Sequence, residues 1–158
     1  MMLKKWTRVF GVVAVIAMAP AAMASSPKLN CPTDTHQAGG LEQGKDIVMC
    51  VRKTDGKPHG PAIWLHPNGA KQGEGSMKDG FRTGLWTFFD EQGNKTGTAE
   101  LKGGNFHGEV VEFHSNGKVK KVERYVHNSR EGAVEEFSAD GKLVKKAEWR
   151  NNREVAAR

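Results

Sequence analysis

"GLWTFFDEQGNKTGTAELKGGNFHGEVVEFHSNGKVKKVERYVHNSREG" runs from Gly84 to Gly132 and states one pattern twice. Each pass opens on a glycine, reaches aromatic residues, turns on a second glycine and returns through lysines to a third. The spacing extends in both directions. Gly60, Gly84, Gly108 and Gly132 are 24 residues apart, and so are Gly69, Gly93, Gly117 and Gly141. A third series, Gly80, Gly104, Asn128 and Asn152, keeps the same interval and uses only residues that tolerate positive φ. Three phased series make this a repeat protein, with glycines that read as turn residues.

Each unit holds two short runs between turn signals, which predicts two strands per repeat. The turns His66-Pro67-Asn68-Gly69, Asp90-Glu91-Gln92-Gly93, His114-Ser115-Asn116-Gly117 and Ser138-Ala139-Asp140-Gly141 suit a type I turn closed by a glycine bulge. That turn pairs Phe113 with Val119 and Phe137 with Leu143. Carried along the strands, it sorts Leu65, Phe89, Phe113, Phe137, Met77, Leu101, Tyr125 and Trp149 onto one face, with Leu85, Ala99, Ala133 and Ala147 between them. Gln72, Glu74, Lys78, Thr96, Thr98, Glu100, Lys120, Arg124, Lys146 and Glu148 take the other. Glu123 and Glu135 fall on the apolar side, and Val110, Val122 and Val134 on the polar one. The expected fold is all-β: a twisted antiparallel meander of about four and a half hairpin repeats over residues 46–154, with 155–158 as a tail. An incomplete leading unit is read from Ile47, Met49, Val51 and Asp55-Gly56.

These residues resemble the bacterial MORN-type repeat, as found in proteins labelled YwqK-family antitoxins. The shared elements are a glycine, an aromatic-rich strand, Asn-Gly-Lys, a strand with Glu and an aromatic, and His-Gly as at His59-Gly60 and His107-Gly108. Thr83-Gly84 and Glu131-Gly132 depart from the last element. The resemblance spans roughly residues 48–154. It implies a β-hairpin sheet that binds proteins or membranes, and the antitoxin label implies neutralising a partner.

The N-terminus reads differently. Lys4, Lys5 and Arg8 precede an apolar stretch from Val9 to Ala22, and Ala22-Met23-Ala24 supplies small residues at the cleavage positions, which predicts a secretory signal peptide over 1–24. The stretch is shorter than the ~20 residues of a membrane span, and Pro20 interrupts it. The expected location is periplasmic or secreted. Losing those three cations lowers the formal charge of +6 by three, to +3, which with export argues against a nucleic-acid partner.

Cys31 and Cys50 are the two cysteines, and export makes a structural disulfide the expected state. It would tether an N-terminal segment, residues 25–45. No cofactor is expected. His66, Asp90 and His114 hold one position in three successive repeats, but equivalent positions lie two strands, ~9.6 Å, apart. Side chains so spaced do not converge on one metal ion, so turn capping is the expected role. Glu112 and Glu136 invite comparison with a glycosidase pair, yet lysines crowd both and cross-strand ion pairing accounts for them. No nucleophile–base pair or phosphate-binding loop is present, so no enzyme is expected.

Trp64, Trp86 and Phe88 fall on the otherwise polar face in neighbouring repeats. Contiguous exposed aromatics mark an interface or lie under a cover. The expectation is a protein-binding module with these three as the partner-binding patch, or with the disulfide-held segment lying over them. Alternatives are an antitoxin or immunity role and an envelope surface of anionic lipid or glycan. Residues 118–158 motivate the last, with eleven Lys and Arg against seven Asp and Glu.

Overall fold

The computed structural model describes residues 25–40 and 46–155; the expected signal peptide lies outside them. The strands are β1 (Thr35–Gly39), β2 (Ile47–Arg52), β3 (Pro58–Leu65), β4 (Lys71–Lys78), β5 (Phe81–Phe89), β6 (Lys95–Lys102), β7 (Asn105–Phe113), β8 (Val119–Val126), β9 (Ser129–Arg130), β10 (Gly132–Phe137), β11 (Leu143–Arg150) and β12 (Arg153–Val155). They form one open antiparallel sheet in chain order, with β9 pairing β8 beside the main path. Part of the tethered N-terminal segment, Thr35–Gly39, joins this sheet as its first strand.

Two kinds of turn alternate. At one end Gly69, Gly93, Gly117 and Gly141 take φ of 83°, 84°, 79° and 93°, and each donates its N–H to the carbonyl three residues earlier. This is the type I turn with a glycine bulge, and it sets Phe113 opposite Val119 and Phe137 opposite Leu143 as expected. At the other end Asp79-Gly80, Gly103-Gly104, His127-Asn128 and Asn151-Asn152 each place two consecutive residues at positive φ, the tight two-residue hairpin turn. Those second residues also link repeats. The N–H groups of Gly80, Gly104, Asn128 and Asn152 donate to the carbonyls of Pro58, Arg82, Phe106 and Arg130, each 22 residues back.

Two register features were not read from the sequence. Gly60, Gly84, Gly108 and Gly132 are not turn residues; they belong to β3, β5, β7 and β10. Where β6 meets β7, Ala99 faces Val110 but Leu101 faces Phe106, which accommodates two extra residues at the glycine. Positive φ values of 68–125° at these four positions explain the residue type.

The second feature is a one-residue bulge just past each type I turn. Leu65 pairs with Lys71 while Trp64 pairs with Gly73, and the same slip recurs at Phe88/Phe89, Glu112/Phe113 and Glu136/Phe137. One extra residue exchanges the faces of a strand. The expected single apolar face is therefore split. Leu65, Phe89, Phe113 and Phe137 share a face with Glu74, Thr98 and Lys146. Met77, Leu101, Tyr125 and Trp149 share the other with Trp64, Trp86, Val110 and Val134.

The core sits on that second face: Ala62, Met77, Trp86, Ala99 and Leu101 are buried, with Met49, Trp64, Phe88, Phe106 and Val110 packed against them. Leu85, expected to fill the core, is instead 59% exposed. Glu123 keeps its place on the apolar side, whereas Glu135 pairs with Val122 and Lys146 on the other. Glu123 is buried among Lys121 Nζ and Arg130 Nε at 3.0 Å each, so the charge is paired where a lone carboxylate would be costly.

Candidate functional site

Trp64 on β3 and Trp86 and Phe88 on β5 come together on the core face. Cross-strand pairing sets each against a residue with little or no side chain: Trp64 against Gly73, Trp86 against Ala99, and Phe88 against Gly73 on one side and Gly97 on the other. Large rings in a single-layer sheet need such floors, because a flat backbone lets the ring lie down over the neighbouring strand. Gly75 is the tightest case. A Cβ there would lie 2.5 Å from two carbons of the Trp86 indole.

Trp86 is fully buried, and its Nε1–H donates to the Ser76 carbonyl at 3.2 Å. The indole of Trp64 meets it with ring centroids 4.4 Å apart, and the Arg82 guanidinium covers Trp64 at 5.1 Å. Trp86 therefore presents no surface to a partner. Trp64 and Phe88 are half-buried and form what remains of the expected patch. The aromatics stand on an apolar face and not on a polar one; the bulges put them there.

The disulfide-held segment lies over the sheet's first edge. Cys31 is bonded to Cys50. Gln37 binds this segment twice, accepting from Leu29 N at 2.7 Å and donating to Pro27 O at 3.1 Å. A Cβ on Gly60 would meet Pro32 at 3.0 Å and the Cys50 Cβ at 3.5 Å. The contacts that bury Trp86 come from within the repeats.

Beside Phe88 an open groove of about 440 Å³ continues along the same face over Gly97 and Ala99, between Phe106, Val110 and Glu112. Phe106 and Val110 were missed as site residues. The legible signal was glycine at Gly73, Gly75 and Gly97 in strand interiors, where only a close neighbour justifies its cost. Beyond the groove the face changes character. Position for position, Trp64, Gly73, Phe88 and Gly97 give way to Glu112, Lys121, Glu136 and Lys145, an alternating charged row in cross-strand register.

The remaining candidates resolve into structural roles. His66 Nε2 lies 3.0 Å from the Phe89 carbonyl and His114 Nε2 2.8 Å from that of Phe137, so each histidine bonds the next repeat. Asp90 caps its own turn, accepting from Asn94 N at 2.8 Å and Gln92 N at 3.1 Å; the Asn94 side-chain bond, first among these causes, holds its carboxyl below the usual range. Glu112 pairs with Lys120 at 3.2 Å. Among the described residues no group of three His, Cys, Asp or Glu is placed to hold a metal ion.

Comparison with known proteins bears on the second half of the sheet. A family model described as MORN repeat variant matches residues 106–127 and 130–151, the two charged repeats. No curated protein matches the chain. Repeats of this kind are commonly modules that bind proteins or lipids.

Proposed function

We propose that the chain is an exported, non-catalytic repeat protein whose aromatic face binds a protein partner. The observation that carries this reading is the half-buried pair Trp64 and Phe88 on the core face of the one described sheet, with Phe88 lining an open groove that continues over Gly97 and Ala99. Interface energy concentrates in aromatic anchors of this kind, set in partly closed surroundings. Export rests on the N-terminal sequence and on the Cys31–Cys50 disulfide, which persists in oxidising compartments. An antitoxin role, implied by the resemblance to YwqK-family proteins, is the narrower form of this reading: its partner would be a toxin.

The test is retention of envelope proteins by the immobilised chain, run beside a Trp64→Ala/Phe88→Ala variant whose circular dichroism shows it folded under the assay conditions. Trp86 is left intact because it is core. A partner that binds the parent and binds the variant ~30-fold more weakly, the effect of losing about 2 kcal/mol at an interface anchor, supports the aromatic face. A partner held equally by both refutes it. A second reading, attachment to anionic lipid or glycan, is favoured by the basic balance of residues 118–158. Salt-sensitive binding to anionic vesicles, indifferent to Trp64 and Phe88, would replace the first reading with this one.

A further inference from the structure

Strand β11 is paired by β10 from Trp149 opposite Gly132 to Leu143 opposite Phe137, with a bulge at Val144. On its outer side β12 covers only Glu148, Trp149 and Arg150. Among the described residues, no strand lies beyond Leu143–Ala147. In every earlier repeat the next repeat takes the equivalent edge: Gly73 and Glu74 by Phe88 and Thr87, Gly97 and Thr98 by Glu112 and Val111, Lys121 and Val122 by Glu136 and Glu135. The β11 edge is built like the others and, among the described residues, has no strand in their partner's place.

Its side chains show what would fill it. Leu143 is 52% and Val144 63% exposed, whereas Val119, the counterpart of Leu143, is half-buried. On the core face the row Glu112, Lys121, Glu136, Lys145 alternates in sign and stops on a cation. Lys146, beside it on the other face, already pairs with Glu135 at 2.7 Å, so Lys145 is the cation on which an added acid would act first. An unpaired edge is a template for strand addition, and opposite charges directly across strands stabilise the pairing.

Two occupants fit poorly. A second copy pairing edge to edge would set these lysines against the same lysines, and like charges opposite one another are destabilising. The chain's own residues 156–158 read Ala-Ala-Arg and contain no acid. We propose that the Leu143–Ala147 edge receives an extended segment of a partner protein carrying two adjacent acidic residues followed by an aromatic. The repeat itself supplies the order. Glu135-Glu136-Phe137 of β10 sets Glu135 against Val122 and Glu136 against Lys121. Advanced by one repeat, the acids face Lys146 and Lys145 and the aromatic reaches Leu143. This surface is separate from the Trp64/Phe88 face.

The probe is a labelled peptide copying Arg130–Ser138, titrated with the full chain and followed by fluorescence anisotropy. Lys145→Glu, at an exposed residue, is expected to weaken binding about fivefold or more. A peptide carrying Glu136→Lys should bind the parent weakly and recover on the Lys145→Glu chain. The Trp64→Ala/Phe88→Ala chain should bind the acidic peptide as the parent does, so failure of the aromatic-face reading is separable. Absence of peptide binding, or binding indifferent to Lys145→Glu, overturns the proposal. A dimer of the chain that the peptide dissociates would overturn the choice of partner in favour of a second copy.

Discussion

Gly75 and Trp86 offer a direct test of how the sheet buries an indole. A Cβ on Gly75 would stand 2.5 Å from the ring, closer than carbon atoms tolerate, and the ring cannot retreat because Trp64 lies against it at 4.4 Å. Gly75→Ala should therefore cost about 2 kcal/mol, within the range for overpacking a well-filled site. One repeat later the same two positions hold Ala99 and Val110, paired in register. Trp86→Val alone should cost about 3 kcal/mol, chiefly through lost burial. In the Trp86→Val background, Gly75→Ala should become neutral or stabilising by up to about 0.5 kcal/mol, since alanine is then free of the ring and a strand glycine carries an entropic cost. The coupling between the sites is thus ~2 kcal/mol. Urea denaturation of the disulfide-intact protein reads it: Gly75→Ala lowers the midpoint by roughly 1 M when Trp86 is present and leaves it nearly unchanged when Val replaces it. An equal cost in both backgrounds would refute the packing argument.

Three further outcomes follow from the same geometry. Replacing Cys31 and Cys50 by serine opens a loop with a sequence separation of 19, so stability should fall by about 3 kcal/mol in the chain-entropy account; hydrogen exchange should rise in β1 and β2 well before β10 and β11, as neighbour-only contacts require. Asn128 sits at φ 65° and its Oδ1 accepts the Phe106 N–H at 2.7 Å, so Asn128→Gly should cost about 1 kcal/mol for the bond and Asn128→Ala roughly 1–2 kcal/mol more for the backbone, measured by thermal melts. Asp79 is held below the usual carboxylate range first by its hydrogen bond from Arg52. A depressed carboxylate stabilises the fold above its unfolded value of about 3.9 and loses that contribution as pH falls through its folded value. Asp79→Asn should thus lower the melting temperature at neutral pH, with the difference from the parent closing only below about pH 4.

The period, the strand count per repeat and the type I turns were legible because glycine and asparagine at fixed intervals answer to local backbone sterics. The faces were not. Assigning them meant counting through each hairpin, and one bulged residue at Gln72, Thr96, Lys120 or Val144 reverses everything beyond it. No residue type marks these four, which share only their place three residues after each turn glycine. The same reversal moved Trp64, Trp86 and Phe88 from a supposed polar face into and around the core. Glycines at 73, 75 and 97 carried the missing information. Each sits in register with or beneath a large ring, and side-chain volume across strands discriminates between registers that alternation alone leaves equal. The outer edge of β11 was not legible, because the alternating charged row that ends on Lys145 exists only once the bulges are placed.

The central functional claim is that a protein partner contacts the core-side face. A photo-crosslinking residue placed at Phe88 on that face, and separately at Leu85, exposed on the opposite one, tests it in envelope extract. A discrete protein adduct from position 88 and none from position 85 is the predicted result. Adducts from position 85 alone, or from neither position, would contradict the account.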